Sequence, residues 1–343
     1  MIEIDKFVKE GELYKILDGK KVKCLACAHR CVIFEGKRGI CKVRFNINGK
    51  LYVPFNYVSG LNNDPIEKKP FFHFLPGSYA LTFGMLGCDF HCPYCQNWIT
   101  SQTFKDKNSI IYYEEIDPSD IVEIAFKKGS KSIISSYNEP LITTEWAKEI
   151  FKLAKEKGLK TGYVSNGYLT DEVLDYLEGY LDTYKIDLKS FKEENYRILG
   201  GKLKFVLEGI EKVFKKGLWL EIVTLLVPNY NDSEDELKEM AKFIKSLSPY
   251  IPWHITAFHP DYKMRDRKKT EVRKIIRARE IGLTEGLKFV YGGNLFGFPE
   301  LESTYCPECN ELLIKRDMFF VIENKIKDGK CIRCKAEIKG IWE

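Results

Sequence analysis

Eleven cysteines divide this 343-residue chain into three sets with none left over: Cys24, Cys27, Cys31 and Cys41; Cys88, Cys92 and Cys95; and Cys306, Cys309, Cys331 and Cys334. The first 23 residues are charged throughout and lack the apolar core of a secretory leader, and no stretch approaches the ~20 apolar residues of a membrane span. Cysteines in such a chain point to metal ligation in a reducing, cytoplasmic compartment, not to disulfides. Structural zinc takes four ligands, and a cubane cluster has four irons to ligate. The outer sets offer four thiolates each. The middle set offers three, at C-x3-C-x2-C spacing on Gly87-Cys88-Asp89-Phe90-His91-Cys92-Pro93-Tyr94-Cys95, directly after the apolar run 79–86 that reads as a buried strand. Three thiolates on one short loop leave one iron of a 4Fe–4S cluster open to chemistry. The alternative is half of a structural site completed by His91 or a distant cysteine.

Hydrophobic content of 44% and 30% charged residues are those of an ordinary folded protein. The 54 basic and 49 acidic residues are interspersed, which argues against a dedicated nucleic-acid binder.

Three modules follow from the ligand pattern. Residues 1–75 carry the first set at C-x2-C-x3-C-x9-C spacing, which suits either structural zinc or a second iron–sulfur cluster. A hairpin is expected around Asn48-Gly49. The segment 64–74 reads as a loop docked on the barrel, with His73 a satisfied, semi-buried histidine. From 76 to 298, strands and helices alternate. Strands are expected over 132–137, 161–165, 184–188, 220–227, 254–258 and 289–291. Helices are expected over 142–157, 171–180, 203–216 and 271–282. A further helix opens at Asp117-Pro118, and another runs to about 247 from a capping box at Ser233. Repeated βα units imply an α/β fold with a parallel sheet, a barrel or an open doubly wound sheet. Residues 299–343 place two C-x2-C knuckles around a hairpin over 312–324, a zinc-ribbon pattern that would need its metal, Zn2+, to fold.

In βα barrels the working residues gather at the C-terminal strand ends. Here those ends read Tyr137-Asn138-Glu139-Pro140, Ser165-Asn166-Gly167-Tyr168, Asp187-Leu188-Lys189, His259-Pro260-Asp261 and Gly292-Gly293-Asn294. Asp187 and Lys189 share a face, since alternate strand residues do.

The three-cysteine loop, with aromatic Tyr94 before its last cysteine, resembles that of the radical S-adenosylmethionine (SAM) superfamily. The strand-end motifs resemble its glycyl-radical-enzyme activase branch. The segments 24–44, 64–78, 87–98 and 137–140, with the Cys-Pro-x-Cys tail, are similar to the AmmeMemoRadiSam-system radical SAM family. The resemblance implies a partial (β/α)6 barrel and a 4Fe–4S cluster on Cys88, Cys92 and Cys95 whose open iron chelates SAM. It also implies reductive cleavage of SAM to a 5′-deoxyadenosyl radical that abstracts hydrogen from a protein or small molecule. Asn138 and Glu139 would accept the SAM ammonium, and Ser165 and Asn166 would meet its carboxylate or ribose. Lys189 would pair with the carboxylate and Asp187 with a cation or the headgroup; His259 would lie near the nucleoside and Tyr94 beside adenine. Implied partners are a low-potential electron donor such as ferredoxin or flavodoxin, and Memo-like and AMME-domain proteins. The competing readings are a radical SAM enzyme that modifies RNA, and a non-catalytic metal-binding or electron-transfer scaffold.

Overall fold

A computed structural model describes residues 3–343; Met1 and Ile2, the start of the expected N-terminal module, lie outside the described residues. The central element is an eight-stranded sheet: β1 (Gly60–Pro65), β2 (Tyr79–Gly84), β3 (Ser132–Ser135), β4 (Lys160–Ser165), β5 (Thr183–Asp187), β6 (Trp219–Leu226), β7 (Trp253–Ala257) and β8 (Val290–Gly293). They lie in strict chain order, β8-β7-β6-β5-β4-β3-β2-β1. From β2 to β8 every pairing is parallel, while β1 runs antiparallel to β2 at the edge.

Between successive parallel strands run the helices α1 (Pro118–Lys127), α2 (Thr144–Glu156), α3 (Asp171–Tyr176), α4 (Glu193–Leu199), α5 (Leu203–Lys215), α6 (Glu234–Leu247) and α7 (Val272–Thr284). A doubly wound sheet needs a point where the strand order reverses. Here the order never reverses, and right-handed crossovers then put every helix on the same face. The result is six βα units and a seventh parallel strand curled into a partial barrel, as expected.

The strands are where their apolar runs put them. β6, Trp-Leu-Glu-Ile-Val-Thr-Leu-Leu, is buried over most of its length, and the helix stripes Trp146, Ile150, Phe151 and Val206, Ile210, Val213 are wholly buried against the sheet. The edge strand β1 is not among the expected strands, and its last residues, Asp64 and Pro65, correct the start of the loop expected over 64–74; Gly-Leu-Asn-Asn-Asp-Pro has little strand propensity. Its backbone ladder to β2, from Gly60↔Gly84 to Pro65↔Tyr79, decides the matter. Asp117 and Ser233 occupy the expected N-cap positions, with Pro118 in the first turn, but neither side chain makes the cap bond. Asp117 instead accepts from Asn56 Nδ2 at 3.0 Å, and Glu236 accepts from Ser190 Oγ and the Phe191 amide, not from the Ser233 amide that a capping box would use.

The N-terminal residues form small antiparallel sheets, including the hairpin Phe45–Ile47 with Lys50–Pro54. Asn48 and Gly49 both have positive φ (54° and 79°), as its two-residue turn demands. An ion pair between Arg44 and Glu145, two hydrogen bonds of 2.7 Å and almost no exposure, ties this region to α2. The C-terminal residues form a three-stranded sheet around the hairpin Leu312–Asp317 with Phe320–Asn324. They close the open side of the barrel. Phe74 bridges Ile341, and the wholly buried Arg316 guanidinium donates to Phe72 O at 2.7 Å, with Glu67 3.5 Å away. His73 is fully buried, not semi-buried, bonded to Tyr291 Oη (2.6 Å) and Lys339 O (2.7 Å).

Candidate active site

The loop after β2 delivers Cys88, Cys92 and Cys95 to one end of a cavity of about 470 Å3 inside the barrel, within the size range of small-molecule and cofactor sites. Its walls carry Tyr94 from the cluster loop and three pairs, Asn138 and Glu139, Ser165 and Asn166, and Asp187 and Lys189, from the ends of β3, β4 and β5. His259 is not on this wall. It is exposed, and its Nδ1 lies 3.1 Å from Nε2 of Gln96, which does line the cavity.

Two glycines let the loop approach. A Cβ on Gly84, the last residue of β2, would sit 2.5 Å from Ser136 O and 2.9 Å from Tyr137 Cβ. Gly87 has φ +88°, and a Cβ there would sit 2.8 Å from Val43 and 3.0 Å from Cys41 O. The turn beyond β3 holds Tyr137 at φ +69°, a region that a bulky residue avoids. The Tyr137 hydroxyl accepts from Asn62 Nδ2 and Lys69 Nζ, both at 3.1 Å, which pins the turn that presents Asn138 and Glu139.

Asn138 Oδ1 accepts from the Met85 amide at 3.0 Å, clamping this turn to the start of the cluster loop. Glu139 accepts from Ser165 Oγ (2.7 Å), the Asn166 amide (2.7 Å) and the Leu141 amide (3.2 Å), which leaves part of its acceptor capacity free. Burial, reinforced by the nearby Asp89 carboxylate, outweighs those donors and pushes Glu139 up to about 8. Such a carboxylate suits a cationic ligand group. Asn166 Nδ2 also donates to Asp89 at 2.7 Å, linking the Ser-Asn-Gly turn to the cluster loop.

Asp187 lies between two lysines, ion-paired to Lys185 and at 2.9 Å from Lys189 Nζ. Burial opposes its charge, but the two ammonium groups prevail and hold it well below the usual carboxylate range. Burial likewise opposes the Lys189 charge, and Asp187 and the Cys92 thiol side override it, so Lys189 stays cationic.

Sequence reasoning missed Lys185, His254 and Thr256, and on the far side Lys69, Glu302 and Phe319, all on the cavity wall. Lys185 was findable, since it shares the Asp187 face of β5. Phe319 had no signal: it sits at the tip of the C-terminal hairpin and meets the barrel only in three dimensions.

All eleven cysteines are free thiols. The cavity lining contains three cysteines and no fourth, and His91 is turned outward against Gly200, so it does not complete the set. Burial pushes the Cys92 thiol up to about 12, so a thiolate there needs a bound cation. The residues therefore fit a cluster held by three thiolates. In the C-terminal set the four sulfurs all lie within 4.8 Å of one another, an arrangement that could bind a metal ion.

A parallel barrel with three thiols on one loop and, at its strand ends, a cavity lined by carboxyl, amide and ammonium groups has the parts of a metallocofactor site. The sequence pattern of the radical SAM superfamily matches residues 83–244. Protein MJ0808 of Methanocaldococcus jannaschii is 38% identical over 335 residues, covering 96% of this chain and 99% of that one. The pyruvate formate-lyase 1-activating enzyme of Escherichia coli is 24% identical over 226 residues, 63% of this chain and 91% of the enzyme. A radical SAM methyltransferase from Sphaerobacter thermophilus shares the fold at a TM-score of 0.50 and 13% identity, over 84% of this chain and 78% of its own. The chain belongs to the radical SAM superfamily, with homology to activating enzymes of the pyruvate formate-lyase type, and the family implies a 4Fe–4S cluster and SAM as its cofactors.

Proposed function

We propose that the protein is an oxidoreductase that cleaves SAM reductively and abstracts a hydrogen atom from a protein or small-molecule substrate. The observation that carries this reading is one cavity lined by three thiols, with no fourth in its lining, together with the Glu139 carboxyl and the Lys189 ammonium. When bound on Cys88, Cys92 and Cys95, the cluster would supply one electron that breaks the SAM sulfonium, giving methionine and a 5′-deoxyadenosyl radical.

The chain's own residues bind and shield. Glu139 and the second lone pair of Asn138 would accept the SAM ammonium. Ser165 and Asn166 would face the carboxylate or ribose, and Lys189, held cationic, would pair with the carboxylate. Asp187 would orient that lysine or hold a cation. Tyr94, buried edge-on to Tyr230 with centroids 5.7 Å apart, would pack beside adenine. His259, at the rim beside Gln96, would reach the nucleoside edge. The docked loop and the C-terminal hairpin, through Lys69 and Phe319, would keep water from the radical.

The three-module division, residues 1–75, 76–298 and 299–343, is part of this reading, as is Zn2+ in the C-terminal site. So are membership of the AmmeMemoRadiSam family, Memo-like and AMME-domain partners, and a cytoplasmic setting. Among the described residues no helix is long and apolar enough to cross a membrane. The electron donor would be a ferredoxin or flavodoxin. Residues 15–42 hold eight Lys and Arg against two acidic residues, a basic segment suited to an acidic carrier.

The test is anaerobic reconstitution followed by reductant and SAM. 5′-Deoxyadenosine and methionine are expected, and Cys92→Ala should abolish them while leaving the fold intact. An intact three-cysteine cluster that yields neither product would defeat the proposal. RNA affinity that falls steeply with salt would instead favour an RNA-modifying enzyme.

A further inference from the structure

A buried charge is costly unless an opposite charge answers it, so the pairing of the charged groups on the cavity wall shows what a ligand must supply. Lys68 and Lys69 share Asp64, at 2.9 and 3.1 Å. Lys185 and Lys189 share Asp187. His254 Nε2 lies 2.7 Å from Glu221, and Glu67 lies 3.5 Å from the Arg316 guanidinium. Every basic side chain on the wall thus has its carboxylate. The acids are not matched in the same way. Among the described residues, Glu139 and Glu302 are the wall carboxyls that carry no ion pair. Glu139 is read above as the acceptor for the SAM ammonium. Glu302 has no such claim on it.

Glu302 ends the short helix Pro299–Glu302, and its place is fixed from two sides. Its neighbour Leu301 packs on β8, where a Cβ on Gly292 would sit 3.2 Å from Leu301 Cβ. Its own carbonyl accepts from Arg316 Nη1 at 3.2 Å. The residue is 5% exposed, and burial pushes its carboxyl up to about 7, against the Arg316 charge and the Met318 amide, which favour the carboxylate. Phe319, next to Met318 in the hairpin turn, lines the same cavity. So do Thr256, paired in register with Gly293, and Asn294, which follows Gly293. Asn294 Nδ2 donates to Ala257 O at 3.2 Å, which leaves its Oδ1 as an acceptor. A carboxyl, a hydroxyl, an amide oxygen and an aromatic ring suit an ammonium group. A substrate anion would instead meet lysines that are already neutralised.

We propose that this stretch of wall is a substrate subsite for a primary ammonium group, held by Glu302 with Thr256 and Asn294 as further acceptors and Phe319 as its aromatic side. The inference deepens the functional reading above and rests on Glu139 being taken by SAM, and the test separates the two.

The probes are pentylamine, 1-pentanol and pentanoate, titrated calorimetrically into the full-length, anaerobically reconstituted protein with saturating SAM. At pH 8 the amine is still charged and Glu302 is mostly ionised. Pentylamine should bind at least tenfold more tightly than 1-pentanol or pentanoate. Glu302→Gln, of the same shape, should remove that preference, with an unchanged circular dichroism spectrum as the check on folding. Phe319→Leu, in the hairpin turn, should weaken pentylamine by about two- to fivefold and leave 1-pentanol unmoved. Tighter binding of Nα-acetyl-lysine amide than of pentylamine would support the proposal with a lysine side chain as the source, and the reverse would support it with a free amine. A preference for pentanoate, or a preference for the amine lost in Glu139→Gln but kept in Glu302→Gln, would overturn the proposal. Wild-type protein that binds the amine through Glu302 yet forms no 5′-deoxyadenosine with reductant would support the subsite while defeating the catalytic reading alone.

Discussion

Glu139 shows how much a single side chain's setting decides. Burial and Asp89 raise its pKa from 4.5 to about 8, so the folded protein holds a proton that the unfolded chain gives up more readily. The sign follows: the stability this group contributes is complete below about pH 4.5 and is lost as pH rises through about 8. Glu139→Gln should remove that loss, visible as a flatter dependence of Tm on pH between 5 and 9. In the SAM complex the ammonium would favour the carboxylate, so affinity should rise over the same interval with proton release. Titration calorimetry in buffers of different ionisation enthalpy reads that release, and equal heats in all buffers would contradict the assignment. Asn138, Glu139, Ser165, Asn166, Asp187 and Lys189 were legible in the sequence because short polar motifs closed each apolar strand. Lys69 and Glu302 were not, because nothing local ties them to the cavity.

At the scale of elements, the N-terminal region matters through two contacts. Arg44 and Glu145 are both fully buried, and removing one partner leaves an uncompensated charge. Arg44→Met should cost about 3–5 kcal/mol in chemical denaturation, and adding Glu145→Leu should recover much of it. Gly87→Ala should act differently. Its new methyl meets Val43 at 2.8 Å and its φ of +88° resists a side chain, so the loop and the Cys41 segment must part. Iron content should fall in that variant further than stability does, as metal analysis alongside circular dichroism would show. Helix and strand existence was readable from apolar periodicity. Strand β1 was not, because its edge position is held by main-chain bonds that a sequence of Asn, Asp and Pro does not advertise.

For the whole molecule, the open side of a six-unit barrel must be covered, and the C-terminal hairpin covers it. Cys306→Ala should mainly loosen the tail, giving rapid proteolysis within residues 299–343 while the barrel persists; a protected tail would contradict the ribbon assignment. Arg316→Met keeps the four thiols but removes the donor to Phe72 O, so the ribbon should stay folded yet undock. Protection at residues 66–75 in hydrogen exchange would then fall by at least tenfold, a loss of about 1.4 kcal/mol or more.

The sequence by itself determined the cluster loop, the βα repeat and the ribbon, since each is written in short-range spacing: cysteines two or three apart, apolar residues with a period of two or 3.6. The tertiary structure alone decided that the N-terminal cysteines abut the catalytic loop, that a hairpin far downstream of that loop, over 312–324, walls the cavity, and that His91 turns away. Those outcomes depend on packing between segments distant in the chain. Such packing is set by shape and burial across the whole core, and no local pattern encodes it.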